Sequence, residues 1–254
     1  MSDVWNGGVY RIEYKENRVE ERLLWESHCH AKYELIAVLE GDITVAYEGR
    51  KCRVGSGECV ILSPLVYHTI ASNRQGNYSR VTVEFDPCLI PTPLRSHFLA
   101  CEREIFLLPF ADAKRIRDAY LSANRDFFAP LVESVLICLF YEAYPRESDG
   151  RGSVDPDLSR MLAYIDAHLS ERVTLPKIAS AAALSESSVC HIFKEKMGTS
   201  PIRYLNSKRL ALAQKLIGEG VSATEAAMRA GYEDYSNFFR AYKSYFGKSP
   251  SQSR

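Results

Sequence analysis

Four residues suited to metal binding or acid–base chemistry lie in the first third of the chain: His28, His30, Glu34 and His68. His28 and His30 stand two residues apart, so on one β-strand both side chains would point to the same side. Glu34 and His68 could complete a set of ligands for Zn, Fe or Mn with one position left open for chemistry. Alternatively, these side chains line a pocket and hydrogen-bond a small molecule or one another.

Short strands separated by turns must position these residues. Four β-rich runs end at Gly or Pro signals, namely Glu34–Glu40, Ile43–Tyr47, Cys59–Leu62 and Arg80–Phe85. This pattern predicts an antiparallel sandwich or barrel, and a small barrel can hold one ligand. Several polar groups facing one cavity favour a polar effector such as a sugar. The residues that we expect to bind it are Arg11, His28, His30, Glu34, Tyr47 and His68.

The chain turns helical after about residue 110. Ala111–Phe128 is predicted as one helix and Pro130–Tyr144 as another, with Pro at its first turn. The second is apolar almost all round, so we expect it to be buried against the barrel, another helix or a second subunit. Residues 145–154 are rich in Pro, Gly, Ser and charge, which is typical of a linker. The predicted domains are therefore 1–144 and 155–254.

Composition and charge narrow the function classes. The formal net charge is +0, but residues 155–254 carry 14 Lys plus Arg against 10 Asp plus Glu, which favours a phosphate-facing surface there. No apolar run is long enough for a membrane span and the N-terminus has no signal-peptide core, so we expect a cytoplasmic protein without a membrane partner. The seven cysteines form no CxxC pair and do not indicate a disulfide framework.

The C-terminal hundred residues contain an internal repeat at an offset of 49 residues. Phe193-Lys194-x3-Gly198-x-Ser200-Pro201 returns as Tyr242-Lys243-x3-Gly247-x-Ser249-Pro250. Each copy ends a helix that starts about eight residues earlier at a small polar cap, after a short helix and a tight turn. The repeated unit is therefore predicted to be helix–turn–helix, with its second helix able to enter a major groove.

Residues 155–254 closely resemble the DNA-binding domain of the AraC/XylS family of bacterial regulators. The matching elements are Leu175-x2-Ile178-Ala179, Leu184-Ser185, Phe193-Lys194-x3-Gly198, Arg209 with Ala213, and Gly231-Tyr232-x-Asp234-x-Ser236-Asn237-Phe238-Phe239-Arg240-x-Tyr242-Lys243-x3-Gly247-x2-Pro250. The family usually has large aliphatic residues where this chain has Ala223 and Ala226, and Tyr232, Phe238 and Tyr245 could refill that space.

The resemblance implies an α+β protein of two domains. A cupin-like antiparallel β-barrel with following helices would sense an effector, and an all-α domain with two helix-turn-helix units would bind double-stranded DNA. By the family pattern, the base-reading residues are Ser187, Cys190, His191, Tyr235, Ser236 and Arg240. Lys194, Arg209 and Lys243 are expected to contact phosphates. Arg240 is the strongest candidate for a bidentate contact to guanine.

The resemblance also implies a homodimer formed through the helix at residues 130–144, and RNA polymerase as a partner if the protein activates transcription. Activation is expected, although no residue distinguishes it from repression. The rival hypothesis is a metal-dependent cupin enzyme or metal sensor, because His28-x-His30-x3-Glu34 and His68 resemble cupin metal motifs. Regulators of this family often keep such histidines without a metal. We therefore expect no enzyme activity and no cofactor, with a divalent metal in the barrel as the alternative.

Overall fold

The computed structural model describes residues 2–6, 10–19, 27–73, 76–94, 105–110, 112–122, 128–143 and 155–253. These residues divide into two compact units. The first holds most of the strands and the two helices that precede residue 144. The second holds the later helices together with two short segments, 27–31 and 46–50. The predicted linker at residues 145–154 lies outside the described residues.

The strands of the described chain form a six-stranded sheet and a three-stranded sheet. The larger sheet is antiparallel, with strand order β1-β2-β8-β3-β6-β9, and the smaller has the order β5-β4-β7. The strands are Ser2–Asn6 (β1), Tyr10–Val19 (β2), Tyr33–Glu40 (β3), Asp42–Tyr47 (β4), Arg50–Gly55 (β5), Glu58–Leu62 (β6), His68–Ser72 (β7), Gly76–Phe85 (β8) and Ile105–Pro109 (β9).

The prediction of a β-rich N-terminal half is confirmed, and the four predicted strands correspond to β3, β4, β6 and β8. The sequence pattern does not indicate β1, β2, β5, β7 and β9. In β2, charged residues interrupt the apolar pattern, so its sequence does not stand out as a β-rich run. The expected barrel is present as two sheets, and among the described strands these do not join into one closed sheet.

The six-stranded sheet has two unlike faces, because successive side chains of a strand point to opposite sides. One face is apolar and forms a single core with two helices, Ala113–Leu121 (α1) and Phe128–Ala143 (α2). Within this core, Phe85 of β8 stacks on Tyr33 of β3 and meets the edge of Phe140 of α2, each with ring centroids 5.5 Å apart. The opposite face carries the buried polar residues of β3 and β8.

Helices α1 and α2 differ from their predictions. The predicted helix Ala111–Phe128 is too long, because α1 ends at Leu121 and Ser122 is already extended, with φ −71° and ψ 148°. The polar residues after Leu121 no longer continue an apolar helical face. Helix α2 is buried on one side only. Its outer side exposes Ile137 (49%) and Tyr141 (75%), so within the described chain the sheet core covers one side of this apolar helix and leaves the other uncovered.

The helices of the second unit follow the predicted pattern. They are Pro156–Ala167 (α3), Leu175–Ala182 (α4), Glu186–Met197 (α5), Pro201–Gly218 (α6), Ala223–Arg229 (α7) and Tyr235–Phe246 (α8). The small polar caps expected about eight residues before Phe193 and Tyr242 are Ser185 and Asp234, which accept the backbone N–H groups of Ser188 and Asn237, respectively. None of the helices in the described chain offers an apolar stretch that could span a lipid bilayer.

Aromatic rings fill the space that small residues leave in the second helix-turn-helix unit. Ala226 of α7 is fully buried in a core that includes Phe238 of α8 and that Tyr232 and Tyr245 pack against. The rings of Tyr232 and Phe238 meet with centroids 5.3 Å apart. The three aromatic residues expected to refill this space therefore pack in or against the same core as Ala226.

A buried ammonium group lies inside the second unit. Lys208 of α6 has a side chain that is only 2% exposed, and its Nζ lies 2.8 Å from Oε1 of Glu48 and 3.6 Å from Oδ1 of Asp166. Tyr204, one turn earlier, donates its hydroxyl to the other oxygen of Glu48 at 2.7 Å. Burial by itself lowers the pKa of Lys208, but the two carboxylates outweigh it and hold the pKa above its ordinary value.

The segment 27–31 is bound into the same unit through its backbone. The Tyr245 hydroxyl of α8 accepts the N–H of Cys29 at 2.9 Å and donates to the carbonyl of Cys29 at 3.2 Å. Gln214 of α6 accepts the N–H of Ala31 at 3.3 Å. Burial raises the pKa of the Cys29 thiol to about 12, so this thiol stays protonated at neutral pH.

We predict that Lys208→Met destabilises the full-length protein by about 3–5 kcal/mol, because Glu48 and Asp166 would remain buried without a cation. Because the pKa of Lys208 is raised, its stabilising contribution is fully present below its ordinary value of 10.5 and is lost as the pH rises further. Urea denaturation followed by far-UV circular dichroism at neutral pH measures the change. Lys215→Met, at an exposed position of the same helix, should stay within about 0.5 kcal/mol of wild type. Equal effects of the two substitutions would contradict the role of Lys208.

Candidate nucleic-acid interface and effector site

Helix α5 has one buried and one exposed face. Val189, Phe193 and Met197 are buried within the second unit. The residues predicted to read bases on this helix are all exposed, namely Ser187, Cys190 and His191. His191 Nε2 lies 3.6 Å from Oε2 of Glu195, one turn later, and both side chains are largely in solvent. This face therefore presents small polar groups and an imidazole to any partner that lies along the helix.

Helix α8 repeats this arrangement. Phe238 and Tyr242 are fully buried, and the predicted base-reading residues Tyr235, Ser236 and Arg240 are exposed. The Arg240 guanidinium donates to Oδ1 of Asn237 at 2.6 Å and, more weakly, to the carbonyl of Ser236 at 3.4 Å. These contacts hold the guanidinium along the outer face of the helix. Arginine has five N–H donors in a planar fork, so N–H groups that do not make these two contacts could donate to the edge of a base.

The two helices end in the same way. Gly198 and Gly247 follow α5 and α8 in the left-handed conformation, with φ of 67° and 70°. Lys194 and Lys243 are exposed in the last turn of their helices, where cations also stabilise the helix dipole. Both ammonium groups are therefore exposed to solvent, and the two copies of the repeat have the same geometry at this end.

Arg209 has a structural role that the sequence does not reveal, and its predicted phosphate contact is revised. Its guanidinium is half-buried and donates to the carbonyls of Leu169 (2.8 Å) and Glu171. Burial lowers the pKa of this guanidinium. A Cβ on Gly231 would clash with the Leu169 carbonyl oxygen and lie 3.0 Å from the Arg209 guanidinium. Arg209 thus binds backbone carbonyls after α3 and requires a glycine beside it.

The four residues with potential metal chemistry come together in the structure. His28, His30, Glu34 and His68 each offer one ligand atom, and these atoms all lie within 4.8 Å of one another. The prediction that His28 and His30 share one strand is wrong, since they occupy the irregular segment just before β3, with ring centroids 5.7 Å apart. His68 begins β7 of the smaller sheet, and its Nε2 lies 3.0 Å from Oε2 of Glu34 on β3 of the larger sheet.

The orientation of the His68 ring bears on what this cluster can bind. Nδ1 lies 3.0 Å from the carbonyl oxygen of Val66, and a carbonyl can only accept, so Nδ1 carries a proton. In neutral imidazole the other nitrogen, Nε2, then presents a lone pair toward the Glu34 carboxylate. A cation shared by these two atoms, which lie 3.0 Å apart, would make their contact favourable. A backbone carbonyl that orients a histidine in this way is also typical of metal ligands.

The other residues predicted to bind an effector are Arg11 and Tyr47. Arg11 of β2 donates to Oε1 of Glu84 at 2.6 Å, and Glu84 of β8 is paired in register with Glu34 of β3. Arg11, Glu84 and Glu34 thus form one row on the polar face of the sheet. Tyr47 is buried at the end of β4, in the segment 46–50 that belongs to the second unit.

Sequence reasoning missed two polar residues on this face of the sheet. Arg80 and Thr82 of β8 are 6% and 5% exposed and point to the same side of the sheet as Glu34, because their register partners are Val38 and Ile36. Thr82 Oγ1 has no hydrogen-bond partner among the described residues. In the sequence, Arg-Val-Thr-Val-Glu-Phe reads as an alternating strand with polar residues facing water. Their burial becomes visible in the folded structure, where this face of the sheet is shielded from solvent.

Two family descriptions match separate parts of the chain. The description AraC-like ligand binding domain matches residues 9–106, and the description helix-turn-helix domain matches residues 178–254. The first stretch contains the described strands from β2 to β8 together with the His28–Glu34–His68 cluster. The second contains both exposed helix faces on α5 and α8. Each matched region therefore coincides with one of the two candidate sites.

Curated relatives carry regulator names. A probable transcriptional regulator, LumQ of Photobacterium leiognathi, is 33% identical over 90 residues, which are 35% of this chain and 36% of that protein. The transcriptional activator RhaS of Escherichia fergusonii is 29% identical over 137 residues, or 53% of this chain and 49% of that protein. The XylDLEGF operon transcriptional activator of Pseudomonas putida is 25% identical over 131 residues, or 50% and 40%. The chain thus spans less than half the length of these relatives.

Among solved structures, ToxT from Vibrio cholerae resembles the chain with a TM-score of 0.47 and 12% identity, over 97% of each chain. The C-terminal domain of AraT from Geobacillus stearothermophilus is 30% identical over 41% of this chain and 87% of that one, with a TM-score of 0.39. The family assignment depends on the two matched domains, which do not overlap and together span more than half of the sequence. The chain belongs to the AraC family of regulators.

Proposed function

We propose that this protein is a sequence-specific DNA-binding transcription regulator controlled by a small molecule. The observation that carries the proposal is the duplicated helix-turn-helix geometry. In each copy an aromatic residue, Phe193 or Tyr242, anchors the second helix from inside, and polar residues lie on its outer face. An exposed polar face on a helix anchored in this way suits a major groove, which admits one α-helix.

The length of α6 supports two readers acting on one site. This helix has 18 residues and separates the two helix-turn-helix units along the chain. At 1.5 Å per residue it is about 27 Å long, and with its flanking turns it approaches the ~34 Å repeat of DNA. We therefore propose that α5 and α8 read neighbouring major-groove segments on one side of the duplex.

The exposed residues of α5 and α8 divide into those proposed to contact bases and those proposed to contact phosphates. We propose that bases are read by Ser187, Cys190, His191, Tyr235, Ser236 and Arg240. Lys194 and Lys243, at the ends of the two helices, would contact phosphates, which positions a protein without specifying sequence. Cys190 is a weak donor and would read by shape or by a thymine methyl group.

The buried polar face of the six-stranded sheet is the proposed effector site. Arg11, His28, His30, Glu34, Tyr47 and His68 remain the proposed contacts, with Arg80 and Thr82 added from the structure. Charged and hydroxyl groups that are buried on one face favour a small polar effector such as a sugar, because a few convergent polar groups in a pocket fix the orientation of such a ligand. Effector binding would favour one arrangement of the protein over another and so alter DNA binding.

The regulator names of the relatives support activation as the outcome. RhaS and the XylDLEGF regulator are both described as transcriptional activators. We propose that this chain also activates transcription and contacts RNA polymerase when bound at a promoter. Its place of action would be the cytoplasm, where bacterial DNA lies, and the role of a regulator requires no enzyme activity.

A second candidate function is metal sensing. The convergence of three imidazoles and one carboxylate within 4.8 Å favours it. Tetrahedral ligands that each lie about 2.1 Å from zinc are about 3.4 Å apart, so the side chains would have to rotate inward by roughly 1 Å to enclose Zn²⁺. Four protein ligands would fill a tetrahedral site and leave no open position for catalysis. In this variant of the proposal the effector is the metal itself.

Homodimerisation through α2 is proposed from its outer face. Ile137 and Tyr141 stand one turn apart, are 49% and 75% exposed, and form an apolar stripe with Cys138. The opposite side of the helix is fixed in the core of the sheet by Leu136 and Phe140. A second copy of the same helix would cover this stripe by a symmetric contact.

Selection from a randomised duplex library at physiological salt tests the regulator proposal directly. We expect the wild-type protein to enrich two short sequence blocks about one helical turn apart. Arg240→Ala should relax preference at one base pair, at a cost of roughly 1–3 kcal/mol, because one base contact is lost. Lys243→Ala should weaken all sequences alike and reduce the salt dependence. Failure to enrich any sequence contradicts the proposal, and equal behaviour of the two variants contradicts the role of Arg240.

Equilibrium dialysis with Zn²⁺ tests the metal-sensing candidate. We expect about one Zn²⁺ per chain, with affinity reduced at least tenfold in His30→Ala because one of four ligands is lost. At a hundred times the Kd, zinc should stabilise the wild-type protein by about 2.7 kcal/mol. His191→Gln, an exposed histidine outside the cluster, is the matched control. If wild type and His30→Ala bind zinc equally, the metal hypothesis is wrong and the polar effector remains.

Sedimentation equilibrium tests the proposed dimer. Ile137→Glu together with Tyr141→Lys should produce monomers at micromolar protein, because charges replace the apolar stripe without touching the core. Leu121→Glu on α1, where the leucine is 61% exposed, is the matched control and should leave the dimer intact. A wild-type monomer, or a dimer that survives the double substitution, excludes α2 as the interface.

A further inference from the structure

A cleft lies at the junction between α5, the first of the two proposed DNA-reading helices, and the long helix α6 that follows it. Its volume is about 580 Å³, and its walls come from α5, from the Gly198–Ser200 turn and from the first turn of α6. The cleft lies entirely within the helix-turn-helix region of the second unit. Cys190 and His191, two of the proposed base-reading residues, lie on its rim, so a duplex bound along α5 would pass beside it.

The lining of this cleft is positively charged. Lys194 from the end of α5 and Arg203 from the start of α6 are both exposed there, and the lining includes no carboxylate from the described residues. The nearest acidic residue in sequence, Glu195, lies outside the lining, 2.8 Å from the ammonium of Lys196 and 3.6 Å from Nε2 of His191. An anion in the cleft would therefore meet two cations without a competing negative charge on the wall.

The start of α6 adds backbone donors to these cations. Ser200 caps the helix by accepting the N–H of Arg203 at 3.2 Å, and Pro201 has no N–H. The N–H of Ile202 therefore remains as a first-turn donor that has no acceptor within the helix. The positive end of an 18-residue helix dipole points to the same place, which favours a phosphate oxygen there.

Thr199 gives an independent indication of a ligand. It lines the cleft and is 6% exposed, and its Oγ1 has no hydrogen-bond partner among the described residues. A buried hydroxyl without a partner costs about 1–3 kcal/mol, so such groups usually have a reason to be present. An oxygen atom bound between Lys194 and Arg203 would supply the missing acceptor.

The internal repeat places comparable chemistry at the equivalent position of the second unit. At an offset of 49 residues, Lys194 becomes Lys243, Thr199 becomes Lys248 and Ser200 becomes Ser249. The turn after each recognition helix has the same left-handed glycine and the same Ser-Pro start of the next helical segment. Both copies thus place a cation and a Ser-Pro helix start beside the end of the recognition helix, and Thr199 adds a buried hydroxyl in the first copy.

We propose that the cleft formed by Lys194, Thr199, Arg203 and the first turn of α6 binds one phosphodiester of the DNA backbone. This inference rests on the proposed function, since it requires that the chain bind a duplex. The phosphate fixes the position of α5 along the groove, so the cleft sets which base pairs Ser187 and His191 can reach. Thr199 and Arg203 are thereby positioning residues for recognition and read no base themselves.

Two substitutions separate the charge from the hydroxyl. Arg203→Gln should weaken binding to the selected site and to an unrelated duplex by the same factor, about tenfold, and lower the slope of log K against log salt by about one. Thr199→Val should weaken binding to both duplexes by about two- to tenfold and leave the slope unchanged, because it removes no charge. Lys215→Gln and Thr174→Val, outside the cleft lining, are the matched controls.

Neutralising single phosphates locates the contact on the DNA. A set of duplexes, each with one methylphosphonate in the selected site, should include one position that costs the wild-type protein about tenfold. At that position Arg203→Gln should lose almost nothing further, because the two changes remove the same interaction and their effects are not additive. Circular dichroism and thermal denaturation of the full-length variants confirm that each one is folded.

The outcomes distinguish this inference from the proposed function. If the wild-type protein binds no duplex with a salt-dependent affinity, the regulator proposal and the phosphate cleft both fail. If it binds DNA but Arg203→Gln and Thr199→Val match their controls, only the cleft assignment is wrong. Additive losses from Arg203→Gln and every methylphosphonate would likewise overturn it. Non-additivity at one phosphate, with the two salt slopes as stated, establishes it.

Discussion

The buried ammonium of Lys208 constrains the helical half of the molecule more than any other group described above. A charge that is 2% exposed is tolerated only with compensating carboxylates, and Glu48 and Asp166 supply them from outside α6. Because Glu48 also accepts the Tyr204 hydroxyl, both oxygens of one carboxylate are bound to the same face of the helix. The long helix between the two recognition helices is thus fixed by polar contacts that have strict geometry.

That rigidity suits the proposed function, in which two helices are presented to one duplex. A phosphate contact is useful for specificity only if the element that makes it cannot move relative to the reading residues. In the first helix-turn-helix copy, α5 and the start of α6 share the turn at Gly198–Ser200. In the second copy, Gly231 and Arg209 leave no room for a different approach of the chain. In the proposed complex, short and stiff connections would thereby link the base-reading helices to the phosphate contacts.

Local signals predict the helical half well, because caps and left-handed glycines act over four or five residues. Ser185, Asp234, Gly198 and Gly247 all have the roles that their residue types indicate. Long-range pairing is harder to predict. Arg209 looks like a surface cation in the sequence because its carbonyl partners lie about 40 residues away. Arg80 and Thr82 look solvent-facing because their burial depends on the cover over the sheet, and no local pattern encodes either fact.

The segments 27–31 and 46–50 lie in the same compact unit as the helices of the C-terminal half, so a cut at residue 155 would divide that unit. A fragment that begins at residue 155 would keep both helix-turn-helix copies but lose Glu48. Of the two carboxylates described beside Lys208, Asp166 alone would remain. The Tyr245 hydroxyl would also lose the backbone of Cys29. Such a fragment would expose a surface that the intact chain keeps covered. Its measured stability and solubility would therefore differ from those of the same helices in the full-length protein.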